Sequence, residues 1–335
     1  MRALQPVTPF AAAPAWAVAV LVLLSAGPAR AAWLSRTVDG IMGTRIVVEL
    51  WDDDAAHGES SIDAVIAEMN RIDAAMSTYK PDSELSRLNA SAVLRPVVVS
   101  SELFGLLTTS MEYSRLTGGA FDVTYASVGF MYDFRAHRRP SEAQIKQALP
   151  EVNYKHVVLN AAKRSVRFRR VGMRIDLGGI AKGYAVDRSI GILKQCGIQH
   201  ALVSAGGDSR VVGDRFGKPW VIGIRHPDRK DEIVTRLPLV DTAISTSGDY
   251  ERYFDENGVR YHHIIDPRTG HSASLVRSAT VLADTAIRTD GLSKTAFVLG
   301  ADAAIKIYEA LGDVDAVLVT PDGVVHYTRG MEPSK

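Results

Sequence analysis

Arg174-Ile-Asp-Leu-Gly-Gly-Ile-Ala-Lys-Gly-Tyr184 is the stretch from which the fold is read most directly. Its first half alternates as a strand does, the Gly178-Gly179 pair marks a turn, and a helix follows. Val186, Ile190 and Leu193 carry that helix on, and Gly197 closes it. Glycines let a backbone approach a ligand closely, and free N–H groups at a helix start favour an anion. Lys182 adds a positive charge there. The glycine spacing is neither that of a Walker loop nor that of a dinucleotide fingerprint. A plain strand–helix turn explains the glycines equally well.

Working outward, residues 157–159 and 165–176 read as strands around a turn, and residues 201–204, 220–225 and 237–245 as further strands. Upstream, residues 44–50 alternate and are rich in Val and Ile. Ile62, Val65, Ile66, Met69, Ile72 and Met76 keep helical spacing, with Ser60 or Ser61 as the expected N-cap. A second helix spans residues 101–116 and stops at Gly118-Gly119. Ser141 and Gln144 form a capping box for a short helix that ends at Pro150. Downstream, helices are expected over 284–299 and 302–311, then a hairpin of 315–320 and 324–328 around Pro321-Asp322-Gly323. Strands and helices alternate irregularly with hairpins between them, so the fold class is α+β rather than a strict βαβ repeat.

The 335 residues suit one large domain or two smaller ones. With 46% hydrophobic and 23% charged residues, the chain has enough apolar surface to offset ordering entropy, which excludes disorder over most of its length. The formal net charge of +1 offers no basic footprint for a nucleic acid. Cys196 stands alone, so no disulfide framework or thiolate metal cluster forms within one chain. Residues 1–31 have the three parts of a secretory signal peptide. Arg2 comes first, an apolar run over 15–26 follows, and Ala29-Arg30-Ala31 supplies a small-x-small cleavage site. The run is short for a membrane span, and no cysteine near the cleavage site could carry a lipid. Residues 32–335 are then the working unit, a single large α+β unit that could divide into two lobes.

Two other segments could carry chemistry. In Tyr261-His-His-Ile-Ile-Asp-Pro-Arg-Thr-Gly270 a histidine can take a proton near neutral pH and an arginine can hold a phosphate. Adjacent strand residues point to opposite faces, so His262 and His263 should not serve one site. In Ala283-Asp-Thr-Ala-Ile-Arg-Thr-Asp-Gly-Leu-Ser-Lys-Thr-Ala-Phe297, Asp290 and Lys294 share a helix face. They make either an ordinary surface ion pair or a carboxylate held near a cation or phosphate. Tyr79 and Phe121 could pack on a planar ligand, although core packing is their default.

Taken together and in order, these segments resemble the ApbE family, the FAD:protein FMN transferases. The matching stretches are Met42-Gly43-Thr44, MSTYKPDSELSRLN (76–89), TGGAFDVT (117–124), RIDLGGIAKGYAVD (174–187), SAGGDSRVVG (204–213), HHIIDPRTG (262–270) and TDGLSKTAFVLG (289–300). The resemblance implies a T-fold-like architecture of mixed or antiparallel sheets with packed helices. It also implies an exported, periplasmic enzyme. Such enzymes cleave FAD and attach FMN through a phosphoester to a Ser or Thr of an acceptor, releasing AMP. The acceptors are subunits of membrane or periplasmic electron-transfer systems with a Ser/Thr-Gly-Ala-Ser/Thr motif. FAD hydrolysis to FMN and AMP, or flavin binding without catalysis, are the alternatives.

Carried over residue by residue, Met42, Tyr79, Ala120, Phe121 and Asp122 are expected to line the FAD site, with Gly178, Lys182 and Tyr184 joining from the glycine-rich turn. Ile265 lies near the flavin and His263 is the general base. Mg²⁺ is held by Asp290 and the Ala181 carbonyl. Lys182, Lys294 or Arg268 would meet the pyrophosphate. One position departs from the family pattern. Many members have a threonine ligand four residues after the metal aspartate, where this chain has Lys294. Thr295 is rotated about 140° from Asp290 on a regular helix and faces elsewhere. A charged lysine has no lone pair and cannot be a ligand. Its ammonium is expected against the pyrophosphate, supplying part of the charge Mg²⁺ otherwise supplies.

Overall fold

Alternation in eight strands builds one antiparallel sheet. In spatial order these are Ala32–Ile41, Thr44–Asp52, Ala201–Ala205, Asp208–Val212, Ala243–Gly248, Ser278–Ala283, Asp315–Val319 and Val325–Tyr327. Every neighbouring pair is antiparallel, and strand order in space follows order in sequence. The computed structural model describes residues 31–227, 229 and 232–332. The expected leader lies outside the described residues except for Ala31.

Side chains of opposite parity serve opposite faces of the sheet. Ile46, Val48, Leu50, Ala201, Val203 and Ala205 face a layer of helices, Ala55–Met76, Ser101–Leu116 and Ala181–Gln195 among them. Leu202, Val211, Ile244, Leu282 and Val317 face the other way and are covered by the hairpin Trp220–Arg225 with Ile233–Leu239. Trp33, Trp51, Trp220 and Phe216 meet edge to face on that side, with ring centroids 4.9–6.0 Å apart.

Several sequence expectations need correction. The first long helix begins at Ala55, with Asp54 as N-cap instead of Ser60 or Ser61. Its opening turn carries no apolar period because Gly58 lies against the first hairpin, where an added Cβ would be 2.4 Å from Leu34 Cδ1. The expected strand 237–245 is two strands divided at Val240-Asp241-Thr242, where Asp241 has φ 47°. One half joins the covering hairpin and the other the centre of the main sheet. The helix expected over 284–299 divides at Lys294 into Ala286–Ser293 and Thr295–Leu299. The expected strand 165–176 ends at Phe168. By contrast, Ser101–Leu116, its stop at Gly118-Gly119 and the Ser141–Gln144 capping box are as read.

Candidate active site

The first half of the quoted stretch, residues 174–177, joins no strand ladder. The Asn89 side-chain amide donates to the Ile175 carbonyl and its oxygen accepts the Ile175 N–H, each at 2.8 Å. The Asp176 N–H donates to the Val123 carbonyl, and the Arg174 N–H to the Ser127 hydroxyl. Pairing with one side chain and two loops replaces a neighbouring strand, which is why its pattern reads as β. Asp176 then accepts three hydrogen bonds, from the Thr78 hydroxyl at 2.8 Å, the Tyr125 hydroxyl at 3.0 Å and the Gly178 N–H at 2.7 Å. One carboxylate thus ties together the 76–89 segment, the 117–125 segment and the glycine-rich turn. Sequence reading missed this role, since a lone Asp in a strand-like run carries no signal.

The helix Ala181–Gln195 has no side-chain cap of its own. Its Gly183 N–H donates instead to Asp290 Oδ2 at 3.0 Å. Asp290 comes from the helix Ala286–Ser293, which approaches so closely that a Cβ on Gly183 would lie 2.2 Å from the Ala286 carbonyl oxygen. Asp187 fastens the same pair by accepting the Ala286 and Ile287 N–H groups. The anion expected at this helix start is therefore, in part, the chain's own carboxylate.

Around Asp290 lies a buried charge cluster. Lys182 Nζ pairs with Asp208 at 2.5 Å and lies 3.5 Å from Asp290 Oδ1. Lys294 Nζ bonds the same Oδ1 and also donates to the Asp290 main-chain carbonyl at 2.8 Å. Asp290 is fully buried and Asp208 nearly so. Burial alone would neutralise Asp290, but Lys182 and Lys294 outweigh it and hold the carboxyl below its usual range. Burial likewise pulls Lys182 down, and Asp208 with Asp290 more than reverses it. For Asp208, burial and the nearby Asp290 dominate and push the carboxyl up. Asp208 was not singled out from the sequence. It sits in the SAGGDSRVVG segment, and only the fold sets it beside Lys182.

The two histidines separate as expected. His262 Nε2–H donates to the Ala273 carbonyl at 2.6 Å, which fixes its tautomer, and its Nδ1 faces the Ile264 N–H at 3.3 Å. It is a satisfied core histidine. His263 Nδ1 is buried and has no hydrogen-bond partner. Its pKa is pulled down to about 3, chiefly by burial, with further repulsion from His262, Arg252, Lys294 and Lys182. Arg252 is another residue the sequence did not reveal. Its guanidinium donates to the Gly43 carbonyl at 3.0 Å, beside Met42 in its left-handed turn conformation (φ 53°).

The remaining expected residues divide. Tyr79 is 89% exposed, presenting a free ring on the loop that Thr78 anchors to Asp176. Phe121 is buried edge-on to Tyr113 and lies 3.4 Å from where a Gly179 Cβ would be. Ile265 packs with Val128, Tyr132 and Ile145 beneath the 266–270 turn. Ala120 is buried in the core between the sheet and the C-terminal helices. The Asp122 carboxylate is spent on the chain, accepting from Thr124 and from the Tyr154 N–H at 2.7 Å. Tyr184 donates its hydroxyl to Glu102 at 2.6 Å. Arg268 does not join the cluster, because Asp266 takes its guanidinium at 2.7–3.2 Å and the Val298 carbonyl accepts from it as well. Thr295 places its hydroxyl near Tyr308, buried and without a hydrogen-bond partner.

These donors do not suit Mg²⁺ as they stand. Asp290 Oδ1 is occupied by Lys294 with Lys182 nearby, and Oδ2 accepts the Gly183 N–H, so a hard cation would have to compete with an ammonium for this carboxylate.

A sequence profile described as the ApbE family matches residues 42–318. The FAD:protein FMN transferase of Haemophilus influenzae is 35% identical over 281 residues, covering 80% of this chain and 81% of that protein. That of Treponema pallidum is 31% identical over 343 residues, covering 94% of each. Among solved structures, the ApbE protein of Thermotoga maritima superposes with a TM-score of 0.82 at 33% identity, covering 89% of this chain and 98% of its own. The flavin transferase ApbE of Vibrio cholerae gives 0.80 at 29% identity, covering 92% and 100%.

Proposed function

Because the chain belongs to the ApbE family, we propose that it is an FAD:protein FMN transferase. It breaks the FAD pyrophosphate and joins FMN through a phosphoester to a Ser or Thr of an acceptor flavoprotein. The observation that carries this reading is the cluster of Lys182, Lys294, Asp208 and Asp290 under the glycine-rich turn, within electrostatic reach of His263, whose Nδ1 has no hydrogen-bond partner. Pyrophosphate chemistry needs positive charge, positioning and a proton acceptor, and little else from the protein.

The exposed Tyr79 ring and the turn at Met42 offer a surface for the flavin. The pyrophosphate lies towards Arg252, beside the Lys182–Asp208 and Lys294–Asp290 pairs. His263 is neutral at physiological pH, so its lone pair takes the acceptor hydroxyl proton. The acceptor oxygen–phosphorus bond forms as the pyrophosphate oxygen–phosphorus bond breaks, and AMP leaves with that electron pair. Mg²⁺, implied by the resemblance on Asp290 and the Ala181 carbonyl, would meet Lys294 already on the Asp290 carboxylate, and no step is assigned to it. The acceptor is an electron-transfer subunit with a Ser/Thr-Gly-Ala-Ser/Thr motif, met in the periplasm after export.

The deciding experiment incubates the chain with FAD and an acceptor bearing that motif. Flavin fluorescence on a denaturing gel and an acceptor mass gain of one FMN are expected. Free FMN and AMP without labelled acceptor would instead make the chain an FAD pyrophosphatase. Unchanged FAD would make it a flavin-binding protein.

A further inference from the structure

We propose that Lys294 is a resident cation, a side chain that takes the divalent ion's place on Asp290, so that this chain binds no metal there. Lys294 Nζ is held twice by one residue, on the Asp290 carboxylate and on its main-chain carbonyl at 2.8 Å. Its stem runs under the glycine-rich turn, 4.0 Å from where a Gly179 Cβ would be. Lys294 stands at the break between Ala286–Ser293 and Thr295–Leu299, and its ammonium reaches back to the Asp290 carbonyl in the last turn of the first of these.

Charge balance points the same way. Asp208 and Asp290 are already matched by Lys182 and Lys294. A dication added to that set would sit beside two ammonium groups in a space that excludes water, and would gain no free carboxylate. The hydroxyl of Thr295 makes no hydrogen bond to Asp290; it is buried near Tyr308 without a hydrogen-bond partner. A lysine cannot dissociate as a metal can. The cation is therefore in place at any metal concentration, with one unit of positive charge fewer than a dication would bring.

The inference builds on the transferase reading, but its main test does not need transfer to occur. Mn²⁺ is titrated into the FAD-free chain, with the free-ion electron paramagnetic resonance signal as readout. The unaltered chain is expected to leave that signal undiminished. Lys294→Thr is expected to bind Mn²⁺ at least about tenfold tighter, about 1.4 kcal/mol, and the added Asp290→Asn to abolish the gain. Lys294→Gln gives the same comparison if circular dichroism shows the threonine variant unfolded. A tight Mn²⁺ site in the unaltered chain that Asp290→Asn removes would overturn the proposal. So would the absence of any gain in folded Lys294 variants. Where transfer occurs, it should persist in EDTA; loss reversed by Mg²⁺ would also count against the idea.

Discussion

His263 shows how burial sets a residue's chemistry. In the unfolded chain its pKa is near 6.5, and in the fold it is about 3. Between those values the unfolded state binds more protons, so this histidine makes stability fall as pH falls from about 6.5 towards 3. His263→Asn should flatten that part of the stability–pH curve, read from urea midpoints. The same variant should still bind FAD, while transfer drops by about 10²–10⁴-fold, the range for a lost general base. Near-full transfer would remove His263 from its role. Gly183 is the opposite case, a residue defined by what it lacks. Gly183→Ala would drive a methyl into the Ala286 carbonyl, 2.2 Å away, and towards Asp290 Cβ at 2.8 Å. A loss of about 1–3 kcal/mol in thermal or urea unfolding is expected, as for overpacking generally.

At the scale of elements, the extended segment before the glycine-rich turn depends on one side chain. Both polar groups of the Ile175 backbone are satisfied by Asn89. Asn89→Ala should cost about 1–3 kcal/mol for each group left without a partner, and should weaken FAD binding because Asp176 and the turn follow directly. Unchanged stability would mean that water replaces the amide at no cost. The segment's alternation was legible in the sequence and its role as the approach to the turn was too. That its partner is an asparagine from residue 89 was not, because a side-chain ladder leaves no period. The two broken elements have the same lesson. Apolar periodicity runs through residues 284–299 and 237–245, but a short change of direction at Lys294 or Asp241 does not interrupt it.

At the scale of the molecule, strands from both ends of the chain share one sheet, and the 53–200 insertion supplies much of the helical layer that covers one face. We expect residues 32–335 to unfold as one unit. Trp33, Trp51 and Trp220 all lie in the cluster on the hairpin side. Tryptophan fluorescence therefore reports that face, and far-ultraviolet circular dichroism reports the whole. Coincident urea transitions are the expected result; a separate earlier fluorescence transition would mean that the hairpin side is a second unit.

The sequence by itself determined the α+β class, most element positions, the glycine-rich turn and the separation of His262 from His263. Each is encoded locally, in a period, a cap or a motif. Only the tertiary structure decided which charges meet. Asp208 and Lys182 are 26 residues apart, and Gly183 and Asp290 are 107 apart. Arg268, which looked available for a phosphate, is used by Asp266 two residues away. Lys294, expected against the pyrophosphate, rests on Asp290. A charge acts through space in a low dielectric, so its role depends on its neighbours, and sequence spacing does not name them.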